Sequence, residues 1–500
     1  MTAKIKTFSF SGIEVLNVDV QAKIVPGLPN MTIVGLPDKA ISEAKERVRT
    51  ALTSIGVPWP QKRIIVNMAP ADLQKEGSHY DLAIALAILV EMEILPQQKL
   101  ENFYALGELS LDGNIFAVNG IISAAIGANQ ENCGIICPQN NGSEARWASK
   151  DLEIIAAPCL LSLINHLKEE NKLPNPELKK IFANENYPDI SEIKGQDNAK
   201  RALEITAAGG HNLLMSGPPG TGKSMLASRL RSILPEPELD EILQINMINS
   251  ISGNLKDGEL ITSRPFRDPH HSCSMPAMVG GGAKAKPGEI SLACNGVLFL
   301  DELPEFPRQV LDSLRQPLET AKISISRANS HITYPANFQL IAAMNPCRCG
   351  HLGNQEKECK KAPFCATDYQ NKISGPMLDR IDIIIEVPQI DLFDDNFQQS
   401  ENSEDIKIRV LRARRLQKLR YADFAANLQN NAKIDSKTLE KHLFLSEKSQ
   451  EIIKKAANSG KFSMRGISRI MRVARTIADL SESKNIEKNH ILEAISYRRE

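Results

Sequence analysis

Residues 217–224 read Gly217-Pro218-Pro219-Gly220-Thr221-Gly222-Lys223-Ser224, a complete GxxxxGK[ST] pattern. The apolar run Leu213-Leu214-Met215 precedes this loop, and a helix-like stretch from Met225 to Leu230 follows it. In such a strand-loop-helix, backbone N–H groups turn toward phosphate, and the lysine ammonium and the positive helix end oppose its charge. The sequence therefore predicts an α/β nucleotide-binding domain in which the eight loop residues hold ATP, with the Ser224 hydroxyl on Mg²⁺.

A second apolar run ends in two carboxylates. Residues 296–302 read Gly-Val-Leu-Phe-Leu-Asp-Glu, without the alternation of a strand that has one face in solvent. This pattern indicates a strand buried on both faces of a parallel sheet. At its carboxyl end, Asp301 is placed to hold Mg²⁺ and Glu302 to polarise the attacking water as general base. A third predicted strand, Gln339 to Met344, ends in Asn345, whose amide is a candidate to orient that water.

The composition is typical of a multidomain protein without a membrane span. The 500 residues suggest about three domains of ordinary size. Lys+Arg and Asp+Glu both total 60, so any surface for nucleic acid has to be local. No apolar run approaches the ~20 residues of a membrane span, and the N-terminus leads into a strand pattern rather than a signal peptide. We therefore expect a cytoplasmic protein with no membrane partner.

Changes of pattern along the chain predict three structural units. Residues 1–168 mix strand-like runs with amphipathic helices, such as Asp38 to Leu52, which indicates an α+β domain. Residues 169–188 are polar and contain Pro and Asn, as linkers do. The nucleotide-binding core spans 189–396, and a predominantly helical domain spans 397–500. In that last domain one helix has an apolar stripe of Ile467, Ile470, Met471, Ala474 and Ile477, with Arg465, Arg469, Arg472 and Arg475 largely off it.

Several motifs together resemble those of one protein family. They are Gly195-Gln196, the 217–224 loop, Phe266-Arg267-Asp268-Pro269-His270-His271, Gly288-Glu289-Ile290-Ser291-Leu292-Ala293, the acidic strand end continued through Leu303-Pro304-Glu305-Phe306, Asn345-Pro346-Cys347 and Thr476-Ile477-Ala478-Asp479-Leu480. Nearly the whole chain resembles the magnesium-chelatase-like AAA+ ATPases of the YifB/ComM family. The resemblance implies an AAA+ P-loop domain with a helical lid, assembled into a ring that is usually a hexamer. It also implies a DNA partner, single-stranded or branched, and an ATP-driven branch-migration helicase acting in natural transformation or recombination.

The resemblance extends to two arginines outside the nucleotide loop. Arg380 takes the place of the arginine finger that completes the site of a neighbouring subunit. The alternative is an ordinary ion pair of Arg380 with Asp379 or Asp382 on a solvated turn. Arg465 takes the place of the lid arginine that senses the γ-phosphate, and Arg469, one helical turn later, is its competitor.

DNA contacts are expected from the resemblance at two segments. A pore hairpin would span Lys322 to Tyr334, and a second pore loop Met278 to Lys286. Amides and cations there suit phosphate contacts without base readout. Either segment could instead be a solvated hairpin, and the ring could instead remodel a protein partner, as chelatase-type or chaperone-like AAA+ proteins do. The candidate DNA-binding residues are Arg327 and Asn329 in the first segment and Lys284 and Lys286 in the second.

Nine cysteines in a chain without an export signal argue for thiols rather than disulfides. Four of them cluster within residues 347–365, where thiolates could form a tetrahedral Zn²⁺ site. The second pair has wider spacing than usual and His351 is a substitute ligand, so a loop of free thiols is the alternative. The four cysteines are Cys347, Cys349, Cys359 and Cys365.

The first domain resembles the Lon-protease-like fold, also described as ribosomal S5 domain 2-like. Lon-type proteolysis needs a serine nucleophile activated by a lysine. When residues 76–81 are matched to that motif, His79 stands at the nucleophile position and Ser78 one place early. Ile122 stands at the lysine position. Both members of the dyad are absent, so we expect a non-proteolytic domain.

Overall fold

Two β-sheets, each built from one part of the chain, organise the molecule. The computed structural model describes residues 2–178, 187–255, 259–282, 285–326, 331–350, 352, 363–390, 401–424, 430–458 and 462–498. A seven-stranded sheet uses only strands between residues 3 and 157, and a five-stranded sheet uses only strands between 213 and 386. Within these described ranges, no helix combines the length and apolar character that crossing a membrane requires.

The N-terminal unit contains the seven-stranded sheet and five helices. In chain order its elements are β1 (Ala3–Ser11), β2 (Glu14–Val25), β3 (Asn30–Val34), α1 (Lys39–Ser54), β4 (Arg63–Ala69), α2 (Asp81–Glu91), β5 (Phe103–Ala105), β6 (Glu108–Leu109), β7 (Ile115–Phe116), α3 (Ile121–Gln130), β8 (Gly134–Pro138), α4 (Gly142–Ala145), β9 (Ile154–Ala157) and α5 (Leu160–Leu167). The sheet order is β3-β4-β2-β1-β5-β8-β9, antiparallel from β4 to β1 and parallel from β1 to β9. Helices α1, α2 and α5 cover one face, and α3 and α4 cover the other.

Helix α1 shows how local sequence determines this unit. The Asp38 carboxylate caps its first turn by accepting a hydrogen bond of 2.8 Å from the Ile41 N–H. Four apolar residues that share one face of this amphipathic helix are buried against the sheet. They are Ile41, Ala44, Val48 and Leu52.

The central unit is a parallel α/β sheet, as the apolar runs predict. Its elements are α6 (Asp197–Gly209), β10 (Leu213–Ser216), α7 (Lys223–Ile233), α8 (Leu239–Ser252), β11 (Phe266–Arg267), α9 (Met275–Val279), β12 (Gly280–Gly281), β13 (Lys286–Pro287), α10 (Glu289–Leu292), β14 (Val297–Leu300), α11 (Arg308–Ser313), α12 (Arg315–Thr320), β15 (Lys322–Ser326), β16 (His331–Pro335), β17 (Gln339–Met344), α13 (Phe364–Gln370), α14 (Gly375–Leu378) and β18 (Ile383–Glu386). The five-stranded sheet has the order β11-β14-β17-β10-β18 and every neighbouring pair is parallel. Both faces are covered, because Leu213 and Met215 enter one apolar core and Leu214 enters the other.

The C-terminal part is helical, as predicted. It contains α15 (Ser403–Arg420), α16 (Ser436–His442), α17 (Glu447–Asn458), α18 (Met464–Leu480) and α19 (Lys488–Ser496). Helices α15, α18 and α19 share one apolar core with α6, α7 and the five-stranded sheet. Four residues of the predicted stripe on α18 are buried and Met471 is half-buried, but the expectation that the four arginines lie largely off the stripe is wrong for Arg475. That side chain is 1% exposed, because α18 is covered on more than one side, and it donates to the Asp479 carboxylate and to backbone carbonyls.

Within the described ranges, the N-terminal unit touches the central unit at the β1–β2 turn and at the end of α8. The turn between β1 and β2 lies on β16, where a Cβ added to Gly12 would stand 2.8 Å from the Thr333 carbonyl oxygen. At the end of α8, the Ser250 hydroxyl donates to the Glu144 carboxylate at 2.5 Å and accepts from the Gly120 N–H at 2.8 Å. Burial raises the pKa of Glu144. The second contact is therefore a buried hydrogen bond between the Ser250 side chain of the central unit and the Glu144 side chain of the N-terminal unit. Each of these buried polar groups depends on the other unit for its hydrogen-bond partner.

A buried carboxylate joins the sheet to the C-terminal helices. Asp382, directly before β18, is 2% exposed and pairs with the Arg469 guanidinium of α18. Its carboxylate also accepts from the Asn212 N–H at 3.0 Å and lies 3.5 Å from His211 Nδ1. Burial opposes ionisation of Asp382, but Arg469 and His211 outweigh burial and hold its pKa below the ordinary value.

We expect Asp382→Asn to lower the free energy of unfolding near neutral pH by about 3 kcal/mol, because Arg469 then stays buried without its counter-charge. Because the folded pKa is depressed, this stability is present above the ordinary pKa of about 4 and is lost as pH falls further. The difference between wild type and variant in denaturant unfolding should therefore shrink in acid. The exposed Asp151→Asn is the control; equal stability of Asp382→Asn and wild type at neutral pH would contradict the assignment.

Candidate active site

The glycine-rich loop connects β10 to α7 at the carboxyl edge of the sheet. The Lys223 side chain folds back over the loop and donates to the Gly217 and Pro218 carbonyls, each at 2.8 Å, and to Asn345 Oδ1 at 3.2 Å. Burial lowers the pKa of the Lys223 ammonium, and Asp301 and Glu302 oppose that shift. The structure thus brings together the loop lysine and the Asn345 predicted to orient water.

The beginning of the loop is closed by the neighbouring strand. A Cβ added to Gly217 would stand 2.2 Å from the Val387 carbonyl oxygen, which follows β18. The Gly217 N–H in turn donates to the Met344 carbonyl at the end of β17, at 3.2 Å. Glycine is required here because the Val387 carbonyl leaves no room for a side chain.

The two predicted acidic residues follow β14 and face the start of α7. The Ser224 hydroxyl donates to the Asp301 carboxylate at 2.7 Å, so both predicted Mg²⁺ ligands meet at one point. These hard oxygen donors suit Mg²⁺. Glu302 has left-handed backbone angles, with φ of 52° and ψ of 46°, and half of its side chain is exposed. Since such angles are costly for a residue other than glycine, their presence at the proposed base is a mark of a functional site.

Two further residues lie at this site that the sequence pattern did not assign to it. His271 Nδ1 is 3.4 Å from the Glu302 carboxylate, and Asp268 lies near Asp301. Burial raises the pKa of Asp268, and Asp301 raises it further. Both residues follow β11, which pairs in parallel with β14, the strand that precedes Asp301 and Glu302. Assigning them to the site requires knowing that these two strands are neighbours in the sheet, and the sequence pattern does not show that.

Arg380, the candidate arginine finger, lies away from the loop of its own chain. Its guanidinium pairs with Glu319 and donates to the carbonyls of Arg315, at 3.0 Å, and Pro376, at 2.6 Å. The alternative, an ion pair of Arg380 with Asp379 or Asp382, is therefore wrong. The observed partner of Arg380 is Glu319, and Asp382 pairs with Arg469. The role of Arg380 at a neighbouring subunit stays a prediction.

The two competing arginines of α18 have different surroundings. Arg469 is bound to the buried Asp382 and serves the packing of α18 on the sheet. Arg465 is exposed in the first turn of α18, and no hydrogen bond or ion pair of its side chain occurs among the described residues. Only Arg465 is therefore available to a ligand without breaking a buried pair.

The predicted DNA-contacting segments pack on each other. Arg327, Asn329 and Lys284 lie outside the described residues, whereas Lys286 is exposed in β13. Strands β15 and β16 form the predicted hairpin, and the Tyr334 hydroxyl of β16 donates to the Ala285 carbonyl at 2.9 Å. The two segments therefore form one surface unit, which also carries the β1–β2 turn.

The cysteine cluster gives no described metal site. The sulfurs of Cys347 and Cys349 are 3.2 Å apart, Cys365 lies on α13, and Cys359 is outside the described residues. Among the residues that the structure describes, no three Cys, His, Asp or Glu side chains converge as metal ligands. The zinc site stays a prediction that no described contact supports, and no step below depends on it.

The positions matched to the Lon-type dyad are buried in the N-terminal unit. His79 is 7% exposed, and its Nε2 lies 2.9 Å from the Phe8 carbonyl oxygen. Burial lowers the pKa of His79 to about 4, so the ring is neutral near pH 7. Ile122 is fully buried, and the neighbouring Ser78 hydroxyl donates to Glu108. These contacts are those of packed residues.

Known proteins resemble this chain over almost its full length. Residues 189–394 match the family model of magnesium chelatase subunit ChlI, residues 20–141 match a second model of that subunit, and residues 400–498 match the model of its C-terminal part. The chain is 44% identical to the competence protein ComM of Haemophilus influenzae over 494 residues, 97% of this chain and 95% of that protein. It is 41% identical to YifB of Salmonella typhimurium, covering 99% and 97%, and 42% identical to YifB of Escherichia coli, covering 97% and 95%.

We expect Gly217→Ala to weaken ATP binding by about tenfold or more, because the added methyl group forces the loop away from β18. Titration with a fluorescent ATP analogue measures this. Gly375→Ala is the matched control, since a Cβ there meets nothing within 4 Å and Gly375 begins a helix. Equal affinity of both variants would mean that the loop does not need its observed position.

Proposed function

The chain belongs to the magnesium-chelatase-like AAA+ ATPase family of ComM and YifB, and on that premise we propose that it is an ATP-driven ring motor acting on DNA in the cytoplasm. Its activity would be branch migration, with movement of single-stranded or branched DNA during natural transformation or recombination. One observation carries the ATPase part of the proposal. Lys223, Ser224, Asp301 and Asn345, from three different strand ends, meet at hydrogen-bonding distance around one loop.

Each residue of this cluster has a role that its present contacts suggest. Lys223 would exchange its bonds to the loop carbonyls for the β- and γ-phosphate oxygens. Ser224 and Asp301 would hold Mg²⁺, which supplies charge neutralisation between the phosphates when bound. Asn345, which already accepts from Lys223, would orient the attacking water.

Glu302 is the residue to which we assign activation of that water. The Asp301 carboxylate accepts from the Ser224 hydroxyl at 2.7 Å and from the Glu302 N–H at 2.9 Å, whereas the Glu302 carboxylate lies beside His271. The two carboxylates would thus have separate roles: Asp301 would hold the metal ion, and Glu302 would activate the water. His271, 3.4 Å from Glu302, would limit how far that carboxylate swings.

The site would be completed by a second subunit, which is the reason for proposing a ring, with a hexamer as the family expectation. In that arrangement Arg380 would leave Glu319 and face the γ-phosphate of its neighbour, where it would stabilise charge on the transferring phosphoryl group. Arg465 would sense the same phosphate from the C-terminal helices, acting as a lid. Its availability, in contrast with the buried pairing of Arg469, supports that choice.

The DNA partner is proposed from three supports of different kinds. The relative from Haemophilus influenzae is named a competence protein. The β15–β16 hairpin and the β12–β13 segment form one surface unit in which Lys286 is exposed. Equal numbers of acidic and basic residues in the whole chain fit a local contact to phosphates rather than a globally basic protein.

We expect Glu302→Gln to lower ATP turnover by about 100-fold or more while ATP binding persists, because only the water-activating carboxylate is lost. Lys223→Ala should lose ATP affinity and turnover together. Steady-state phosphate release and nucleotide binding separate the two effects, and Glu101→Gln on the surface is the control. Unchanged turnover in both site variants would refute the site.

The same proteins test the DNA part of the proposal. Wild type should displace a labelled strand from three-strand and Holliday-junction substrates with ATP, and not with a non-hydrolysable analogue or with Lys223→Ala. If wild type hydrolyses ATP without displacement and without stimulation by DNA, the substrate is instead a protein partner, as for a chelatase-type or chaperone-like remodeller.

We expect Arg465→Ala and Arg469→Ala to fail in different ways. Loss of Arg465 should lower turnover without changing the melting temperature, since its side chain makes no described contact. Loss of Arg469 should lower the melting temperature, since Asp382 is left buried and unpaired. Thermal unfolding and ATP turnover of both variants distinguish the two roles. If Arg469→Ala lowers turnover at an unchanged melting temperature and Arg465→Ala lowers the melting temperature, Arg469 is the phosphate sensor.

A further inference from the structure

A cleft separate from the ATP site lies where the central sheet meets the C-terminal helices. Its core side is formed by Arg264, Asn295 and Asn337, and its helical side by Arg414 of α15 and Lys433, which precedes α16. We call it the sheet–helix cleft. Its outer part has a volume of about 540 Å³, and its inner part, which shares residues with the outer one, about 70 Å³.

The sheet–helix cleft is at the opposite edge of the sheet from the nucleotide loop. Asn295 and Asn337 precede β14 and β17, whereas Asp301 and Asn345 follow those strands. The six residues of β17, at ~3.3 Å each, separate the two edges by about 20 Å. A ligand in the cleft therefore cannot be the one held by the glycine-rich loop.

The inner end of this cleft has more positive than negative charge. Its charged residues are one carboxylate, Glu241, and three cations, Arg264, Arg414 and Lys433. Arg264 is matched to Glu241 by two hydrogen bonds of 3.0 and 2.7 Å. Two cations therefore remain without a carboxylate at the inner end.

The remaining two cations are held near each other by the fold. Arg414 donates through Nε and Nη2 to the Ala207 carbonyl, at 3.0 and 2.8 Å, which fixes the guanidinium but does not neutralise it. No hydrogen bond or ion pair of the Lys433 ammonium occurs in the described part of the chain. Burial lowers the pKa of Lys433 to about 8, and Arg414 and Arg264 add to this effect. Like charges in a poorly solvated place are destabilising unless an anion joins them.

A second unsatisfied group faces the same place. Asn337 Oδ1 is buried and accepts no hydrogen bond from the described residues, whereas its Nδ2 donates to Asn295 at 2.9 Å. A buried acceptor without a donor has a free-energy cost that a ligand O–H or N–H would remove. The cleft therefore presents cations for an anionic group together with an acceptor for a donor group.

We propose that the sheet–helix cleft binds a small phosphorylated ligand, with its phosphoryl group at the inner end between Arg414 and Lys433. The inner volume suits one such group rather than a whole nucleotide. At the outer part, Glu236, Glu238 and Asp240 line the cleft. The outer lining also includes Arg415 and Lys418, and Lys418 pairs with Glu238 at 2.6 Å. The outer part therefore has no excess of positive charge to attract a polyanion such as DNA. A bound ligand would link the sheet to the C-terminal helices.

Inorganic phosphate is the probe, and the full-length Lys223→Ala protein is the background, so that the glycine-rich loop does not contribute. Phosphate should raise the melting temperature relative to chloride at equal ionic strength. Adding Lys433→Met should weaken phosphate binding by about tenfold or more, as expected for the loss of one charge-assisted hydrogen bond. Lys433→Arg should restore it, and Lys39→Met, at a side chain that is 94% exposed, should leave it unchanged.

A second measurement needs no substitution at Lys433. In the Lys223→Ala protein, phosphate should slow acylation of the Lys433 amine by an amine-reactive reagent, read by mass spectrometry, and should not slow acylation of Lys39. The proposal is overturned if phosphate does not protect Lys433 in this background, if Lys433→Met keeps the full rise in melting temperature with phosphate, or if only an oligonucleotide protects Lys433. This test is independent of the proposed DNA-motor activity, because Lys223→Ala, the background of every measurement, is expected to lack that activity.

Discussion

Parallel pairing of β10 with β17 on one side and β18 on the other is the constraint on which the chemistry of this protein depends. Parallel strands end at the same edge of a sheet. The strand pairing alone therefore places the loop after β10 beside Asn345, which follows β17. The same pairing brings the Val387 carbonyl against Gly217, which fixes where the loop starts. Strand β14, one place further, contributes Asp301. A four-residue strand thus positions groups from three separate parts of the chain.

Local sequence was sufficient for the site residues that follow the long apolar runs, but not for Asp268 and His271, which follow the two-residue strand β11. The apolar runs before the glycine-rich loop and before Asp301 each predict a buried strand and the functional side chain that follows it. Parallel strands then place these side chains at the same edge of the sheet. The pairing of Arg380 was not predictable in this way, because Glu319 is 61 residues away and belongs to a different helix. Arg475 was misplaced for a related reason: its burial depends on which helices cover α18, and a single helical stripe does not contain that information.

The C-terminal helices are not a separate layer resting on the sheet. They share its apolar core, and Asp382 with Arg469 adds a buried ion pair between them. A buried pair of this kind contributes little net stability but penalises every arrangement in which its partners separate. Movement of α18 during a nucleotide cycle would therefore keep Asp382 and Arg469 together and shift other contacts. The sheet–helix cleft, with Arg414 and Lys433 on the helical side, is a place where such a shift changes the spacing of charges.

The contact of the β1–β2 turn with β16 has a consequence for how this protein can vary among relatives. A side chain at position 12 would collide with the Thr333 carbonyl of β16, and Ile13 packs against the apolar cluster beneath the hairpin. Ser250 and Glu144 repeat this dependence at a second point. A substitution that enlarges a side chain on one side of this seam therefore also disturbs the packing of the other unit.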